Sequence, residues 1–163
     1  MSHCLTARAR PGTVLLMKTR ALTPLFALFL SAASLLADRP GWSDDYEKSL
    51  TQAKTEKKLT LLDFTGSDWC GWCIKLDNEV FAKPKFKSYA KDNLVLVELD
   101  FPQGKSQAKK LKEQNAKLAE QYKIEGYPTV IVLNSEGKKV GELGYLEGGP
   151  DAFIAELEKL KDK

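Results

Sequence analysis

Two cysteines separated by two residues, in the run Trp69-Cys70-Gly71-Trp72-Cys73, are the side chains of this sequence best suited to chemistry. Thiols at that spacing can share a disulfide or hold a metal, and the rest of the chain decides between these. A third cysteine, Cys4, and the single histidine, His3, stand near the N-terminus. A bridge between Cys70 and Cys73 closes a very small ring, so it removes little entropy from the unfolded chain and makes a poor structural staple. A structural zinc site takes four ligands, mostly Cys and His. Cys4 and His3 lie in residues 1–37, which are expected to be removed on export. Beyond Cys70 and Cys73 the ligands would therefore have to come from carboxylates or a second subunit, and no metal is expected. Thiol–disulfide exchange is the reading left standing. It needs no added cofactor, because the electrons reside on sulfur.

Exchange of this kind needs a thiolate at ambient pH, and so an element that favours one. Upstream, Lys58-Leu59-Thr60-Leu61-Leu62-Asp63-Phe64 is a short apolar run of strand formers, closed by the turn-like Thr65-Gly66-Ser67-Asp68. Downstream, Ile74, Leu76 and Val80 recur at partly helical spacing. Cys70 is therefore expected at the N-terminus of a helix that follows a strand, where free backbone N–H groups and the helix dipole favour a thiolate. Cys73, one turn further in, is expected to be the more buried of the two and to resolve a mixed disulfide. Asp63 is an acid inside an otherwise apolar strand. Burial would raise its pKa and suit it to take the Cys73 proton; the alternative is an ordinary polar residue near a strand end. Later elements follow in order: a strand from Leu94 to Asp100, then an amphipathic helix around Ser106 to Tyr122 with Ala108, Leu111, Leu118, Ala119 and Tyr122 inward. A hairpin of Thr129–Asn134 and Lys138–Leu143 turns at Ser135-Glu136-Gly137, and a last helix buries Phe153, Ile154, Leu157 and Leu160.

The stretch Asp63-Phe-Thr-Gly-Ser-Asp-Trp-Cys-Gly-Trp-Cys73 resembles the active-site segment of the thioredoxin superfamily, in which a buried strand Asp precedes Trp-Cys-x-x-Cys. Ile124-Glu-Gly-Tyr-Pro-Thr-Val130 resembles that family's second signature, whose proline faces the cysteines through a cis peptide bond. The resemblance runs from about Trp42 to the C-terminus and implies an α/β thioredoxin fold, a central mixed sheet flanked by helices. It also implies a redox disulfide Cys70–Cys73, with Cys70 attacking, Cys73 resolving and Asp63 as internal base. Pro128 would be cis, Tyr127 would offer backbone groups to an extended substrate peptide, and Gly144 would line the groove. Trp69 is expected to shape the site by packing. Trp72 should be partly exposed, to meet substrate or merely to shield the disulfide. Lys75 is expected to be a solvated helix lysine rather than a helper of the thiolate. A narrower likeness, in the extra residue before Trp69 and in Asn78-Glu79-Val80-Phe81, is to exported thioredoxin-like proteins. These are similar to the periplasmic domain of the membrane thiol–disulfide interchange protein, which carries reductant across the inner membrane.

Two departures from the family pattern bear on function. Asp63 lies seven residues before Cys70 where the family usually has six, so the loop must absorb one residue. Gly71-Trp72 replaces both the Gly-Pro of thioredoxin and the histidine typical of oxidases and isomerases. A histidine there stabilises the thiolate and makes the couple more oxidising. Its absence favours a reductase of exported protein disulfides, fed by an upstream dithiol donor. The competing readings are an oxidase or isomerase on the same fold, and a non-enzymatic binding module switched by the cysteines.

A chain of 163 residues is of one-domain size. Its net charge of +3 is unevenly spread: residues 1–37 hold Arg8, Arg10, Lys18 and Arg20 and no acid. Of the 25 basic residues 21 then remain, against 22 acidic ones. Such a balance gives no reason to expect nucleic acid or an anionic membrane as partner. Lys18 and Arg20, the apolar run Ala21–Leu30 and the small residues Ser31–Ser34 have the order of a secretory signal peptide. Cleavage is expected after Ala37, with Ala33 as second choice, and Met17 is an alternative start of translation that would leave residues 1–16 an upstream extension. An uncleaved membrane anchor is the alternative. The expected arrangement is a removable segment 1–37 and a thioredoxin-like domain 38–163, a monomer that is periplasmic or secreted.

Overall fold

The structure, a computed structural model, describes residues 39–161. The expectations for residues 1–37, including the signal peptide, the anchor, Cys4 and His3, lie outside them. Among the described residues no helix is long and apolar enough to cross a membrane.

The strand expected before the cysteines is β2, Leu59–Thr65, and all seven of its residues are buried. A strand covered on both faces belongs in the middle of a sheet. It lies between β3 (Leu94–Asp100), which runs parallel to it, and β4 (Thr129–Leu133), which runs antiparallel. A two-residue β1 (Trp42–Ser43) pairs with the outer edge of β3, and β5 (Lys139–Leu143) closes the other side. The order is β1-β3-β2-β4-β5, the mixed central sheet of the thioredoxin fold.

Alternation along β2 divides the core. Leu59 and Leu61 point to a layer holding Leu76, Val80, Phe81, Phe86, Phe153 and Leu157. Leu62 and Phe64 point to the other, with Tyr46, Val97, Leu99, Leu118, Ile131 and Leu133. Five helices supply these layers: α1 (Tyr46–Glu56), α2 (Gly71–Leu76), α3 (Pro84–Asn93), α4 (Lys109–Tyr122) and α5 (Gly149–Glu158). Their ends follow local chemistry. The Asp45 side chain accepts the Lys48 N–H at 3.0 Å to begin α1. Pro84 occupies the first turn of α3, where its missing N–H costs nothing.

Strand β3 has the bounds expected for it, and Phe153 and Leu157 of α5 are wholly buried. Two elements differ from expectation. Helix α4 begins at Lys109 rather than near Ser106, because residues 101–108 form a loop held by Gln107, whose side-chain amide donates to the Asp100 carbonyl at 3.0 Å. Ala108, expected inward, is exposed, while Asn115 is buried and donates its amide to that same carbonyl at 2.9 Å. The helix after the cysteines is also not continuous. It widens into a π-helical turn over Asp77–Phe81, where the Ala82 N–H reaches the Asp77 carbonyl at 2.8 Å. That wider turn carries Val80 and Phe81 into the core.

Candidate active site

Cys70 is the residue that caps α2. Its backbone is extended (φ −84°, ψ 102°), and its Sγ accepts the Cys73 N–H at 3.2 Å. Its own N–H bonds back to the Gly66 carbonyl at 2.9 Å, so the turn between strand and helix closes on Gly66. The two cysteines are joined as a disulfide with their Cα atoms 5.2 Å apart. Cys73 is the more buried of the two, as expected, though by little: Cys70 is 7% exposed and Cys73 4%. A backbone N–H aimed at Cys70 Sγ is the direct means of stabilising a thiolate there once the bridge opens.

Trp69 fixes the loop ahead of the pair. Its indole N–H donates to the Phe101 carbonyl at 2.8 Å, and its ring meets Tyr127 edge-on, with centroids 5.8 Å apart. A Cβ on Gly66 would stand 2.5 Å from that indole, so glycine is required for the ring to lie flat against the turn. Two carboxylates pin the same loop from beside it. Asp100 accepts the Ser67 N–H and hydroxyl at 2.9 and 2.6 Å, and Asp68 accepts the N–H groups of Gln103 and Gly104. Those backbone bonds, that of Gln103 foremost, hold the Asp68 carboxyl below its usual range. Through Trp69 and Tyr127 the cysteine loop is linked to the Tyr127–Pro128 bond, which is cis. Gly144, just past β5, lies beside it, where a Cβ would be 3.9 Å from the Pro128 carbonyl.

Trp72 is 58% exposed and leans on Tyr145 with centroids 5.3 Å apart. Lys75, expected as a solvated helix lysine, lies across two aromatic rings at the surface. Its ammonium stands 5.0 Å from the Trp72 ring centroid and 4.7 Å from that of Tyr145. A hydrogen bond with Tyr145 raises its pKa above the ordinary lysine value. The Tyr145 hydroxyl donates to Glu79 in turn. Tyr145 was not singled out from the sequence, though its place directly after Gly144 was the available signal.

Asp63 is only 3% exposed. Burial pushes its carboxyl up to about 7, against the pull of Arg39, with Glu98 and Asp77 adding to the rise. Its Oδ2 accepts from Arg39 Nη1 at 3.2 Å, and its Oδ1 has no partner among the described residues. The same Arg39 nitrogen donates to Glu98 at 3.3 Å, and the other terminal nitrogen donates to Asp77. Burial likewise raises the Glu98 carboxyl, with Arg39 opposing. A cleft of about 860 Å³ has Asp63, Cys73, Arg39, Asp77 and Glu98 in its wall, so Asp63 and Cys73 share one space despite the extra loop residue. Sequence reasoning missed Arg39, Asp77 and Glu98. Glu98 had a faint signal, since it stands level with Asp63 on the neighbouring parallel strand. Among the described residues no cluster of side chains has the makings of a metal site.

Residues 46–161 match the family model described as a thioredoxin-like domain. The chain belongs to the thioredoxin-like family. It is 34% identical over 155 residues to the disulfide bond reductase DsbH of Chlamydia pneumoniae, covering 95% of this chain and 85% of that one. It is 31% identical over 103 residues to the thioredoxin-related protein DsbJ of the same organism, covering 63% of this chain and 30% of that longer one. Among solved structures, a DsbH oxidoreductase superposes with a TM-score of 0.71 at 34% identity, over 77% of this chain and 90% of that one. With its paired cysteines at disulfide distance, this family member is a thiol–disulfide oxidoreductase.

Proposed function

We propose that the protein is a reductase of protein disulfides, and that it works outside the cytoplasm. The observation that carries the direction is the charge beside the pair. Three carboxylates, Asp63, Asp77 and Glu98, gather around a single guanidinium in the cleft that Cys73 also lines. Excess negative charge disfavours a thiolate, which destabilises the reduced form and lowers the potential of the couple. The absence of a histidine between the cysteines acts the same way. The likeness to a chain named a disulfide bond reductase supports this direction.

In the proposed cycle the Cys70 thiolate attacks a substrate disulfide and one substrate sulfur leaves. Asp63 takes the Cys73 proton, directly or through water in the cleft. The Cys73 thiolate then attacks Cys70 Sγ, the Cys70–Cys73 bond forms, and the second substrate sulfur departs. An upstream dithiol donor reduces the bridge again. Trp72, Tyr127, Pro128 and Gly144 form the surface along which an extended substrate lies. Residues 1–37 act as the export signal or an N-terminal anchor, and residues 38–163 act as the monomeric catalytic domain.

Redox titration of the Cys70/Cys73 couple tests the direction. A potential near thioredoxin's, about −270 mV, is expected. A value near −120 mV, where strong oxidants lie, would reverse it and make the protein a disulfide-forming enzyme.

A further inference from the structure

Arg39 lies outside residues 46–161, which match the family model, and 24 residues before Asp63, yet it hydrogen-bonds that buried acid. The segment that carries it is well anchored. The Trp42 N–H bonds to the Arg39 carbonyl at 2.9 Å, and Trp42 is fixed in β1 against Leu96 of β3. The guanidinium lies 4.0 Å from the Trp42 ring centroid and 5.3 Å from that of Phe81, and is only 20% exposed. From that seat its forked donors reach Asp63 on β2, Glu98 on β3 and Asp77 on the π-helical turn.

We infer that Arg39 is a positioning residue for the resolving step: its guanidinium, shared among three carboxylates, orients Asp63 and keeps it able to accept the Cys73 proton. The inference rests on the reading of Cys73 as the resolving thiol. Two geometric facts support it. Arg39 occupies only Oδ2 of Asp63, and Oδ1 remains buried without a partner in a residue that borders the cleft shared with Cys73. The other charged groups facing Asp63 from the elements around it, Glu98 and Asp77, are acids, and Asp100 follows two residues after Glu98 on the same strand. With Arg39 removed, a carboxylate at position 63 would be buried among like charges, and the neutral acid would persist to higher pH. A neutral Asp63 cannot take the Cys73 proton. The step balances as follows. The Cys73 proton passes to Asp63, the Cys73 thiolate forms the bond to Cys70 Sγ, and the bond from Cys70 to the substrate sulfur breaks. The substrate leaves as a thiolate and takes a proton from solvent, while Asp63 returns its own to water.

Arg39→Met, Arg39→Lys and Glu98→Gln test this in the full chain. The readouts are the Asp63 titration, followed by carboxyl ¹³C NMR, and the stopped-flow reaction of the reduced protein with an aromatic disulfide. The first thiol released reports attack by Cys70, and the second reports resolution by Cys73. Arg39→Met should move the Asp63 midpoint up by about one pH unit or more and slow the second release about tenfold at pH 7. The first release should change less than about twofold, and Arg39→Lys should restore most of the loss. Glu98→Gln should move the midpoint down, since the guanidinium is then shared by fewer carboxylates. An Arg39→Met protein with wild-type midpoint and second phase overturns the proposal. Should Arg39→Met fail to fold, an unmoved midpoint in Glu98→Gln overturns it instead. If the wild-type protein reduces no protein disulfide, the reductase reading fails while the Asp63 titration still judges Arg39.

Discussion

The two sides of the Cys70–Cys73 bridge are built from opposite materials. On the outer side exposed Trp72 and half-buried Tyr145 form an aromatic ledge, with the Lys75 ammonium standing over both rings. On the inner side Asp63, Glu98 and Asp77 converge on Arg39, around a carboxyl that is almost wholly buried. The difference suits the proposed cycle. Contact with substrate draws on aromatic area left in water, because burying it when a partner docks is favourable. Moving a proton at neutral pH needs a group whose affinity for protons has been displaced, and displacement comes from burial and neighbouring charge. The bridge sits between them, and in the proposed cycle Cys70 serves the outer side and Cys73 the inner one.

That division predicts unequal consequences for the two cysteines. Cys73→Ser should abolish turnover, by roughly 10³-fold, and leave substrate covalently held on Cys70. Cys70→Ser should lose turnover as fully and capture nothing. Non-reducing electrophoresis after mixing with an oxidised protein substrate checks both, and equal capture by the two variants would break the comparison.

Asp63→Asn sharpens the inner side. At pH 7 it should slow turnover on the order of tenfold or more, with the loss shrinking at high pH as solvent deprotonates Cys73 unaided. It should also change stability in a defined direction. The folded-state carboxyl titrates near 7 against an ordinary value of 3.8. The native state therefore binds more protons between those values, so this contribution is fully present below pH 3.8 and is lost as pH rises through 7. Asparagine carries no such charge, so Asp63→Asn should gain relative to wild type as pH rises from 5 to 8, by on the order of 2 kcal/mol. Urea unfolding at the two pH values measures it; a gain at pH 5 rather than pH 8 would contradict the assigned environment.

The two sides also differed in how far they could be read from the sequence. Local features were legible. Apolar runs marked β2 and β3, the glycine-containing turn marked the β4–β5 hairpin, and the strand and turn before Cys70 with the apolar spacing after it placed Cys70 at a helix start. Departures within single elements were less so. The π-helical turn at Asp77–Phe81 arises from packing Val80 and Phe81 into the core, and spacing alone reads it as more helix. The inner charge cluster was hardly legible at all. Arg39 meets Glu98 across 59 residues of chain and Asp77 across 38, and an ion pair at such distance leaves no periodicity or turn signal. Position also hid it, because Arg39 is the second residue after the segment expected to be removed and so resembled the polar edge of a leader. Asp63 could be suspected as an acid within an apolar strand, but the partner that buried acids require could not be named until the strands were paired.

The outer ledge carries the smallest expected effect, and it separates contact from chemistry. Trp72 is exposed and held by one aromatic neighbour and one cation, so its removal should cost little stability. Exposed cation–π contacts contribute about 0.5–1 kcal/mol. If the ledge serves substrate, Trp72→Ala should raise KM for a protein disulfide by about three- to tenfold, the loss of one aromatic contact of about 1 kcal/mol. The same variant should react at wild-type rate with a small aliphatic disulfide too short to reach Tyr145. Comparing the two substrates in one assay isolates the ledge from the sulfur chemistry. If both slow equally, Trp72 acts on the bridge itself, as a shield, and the outer side is no longer a separate contact surface.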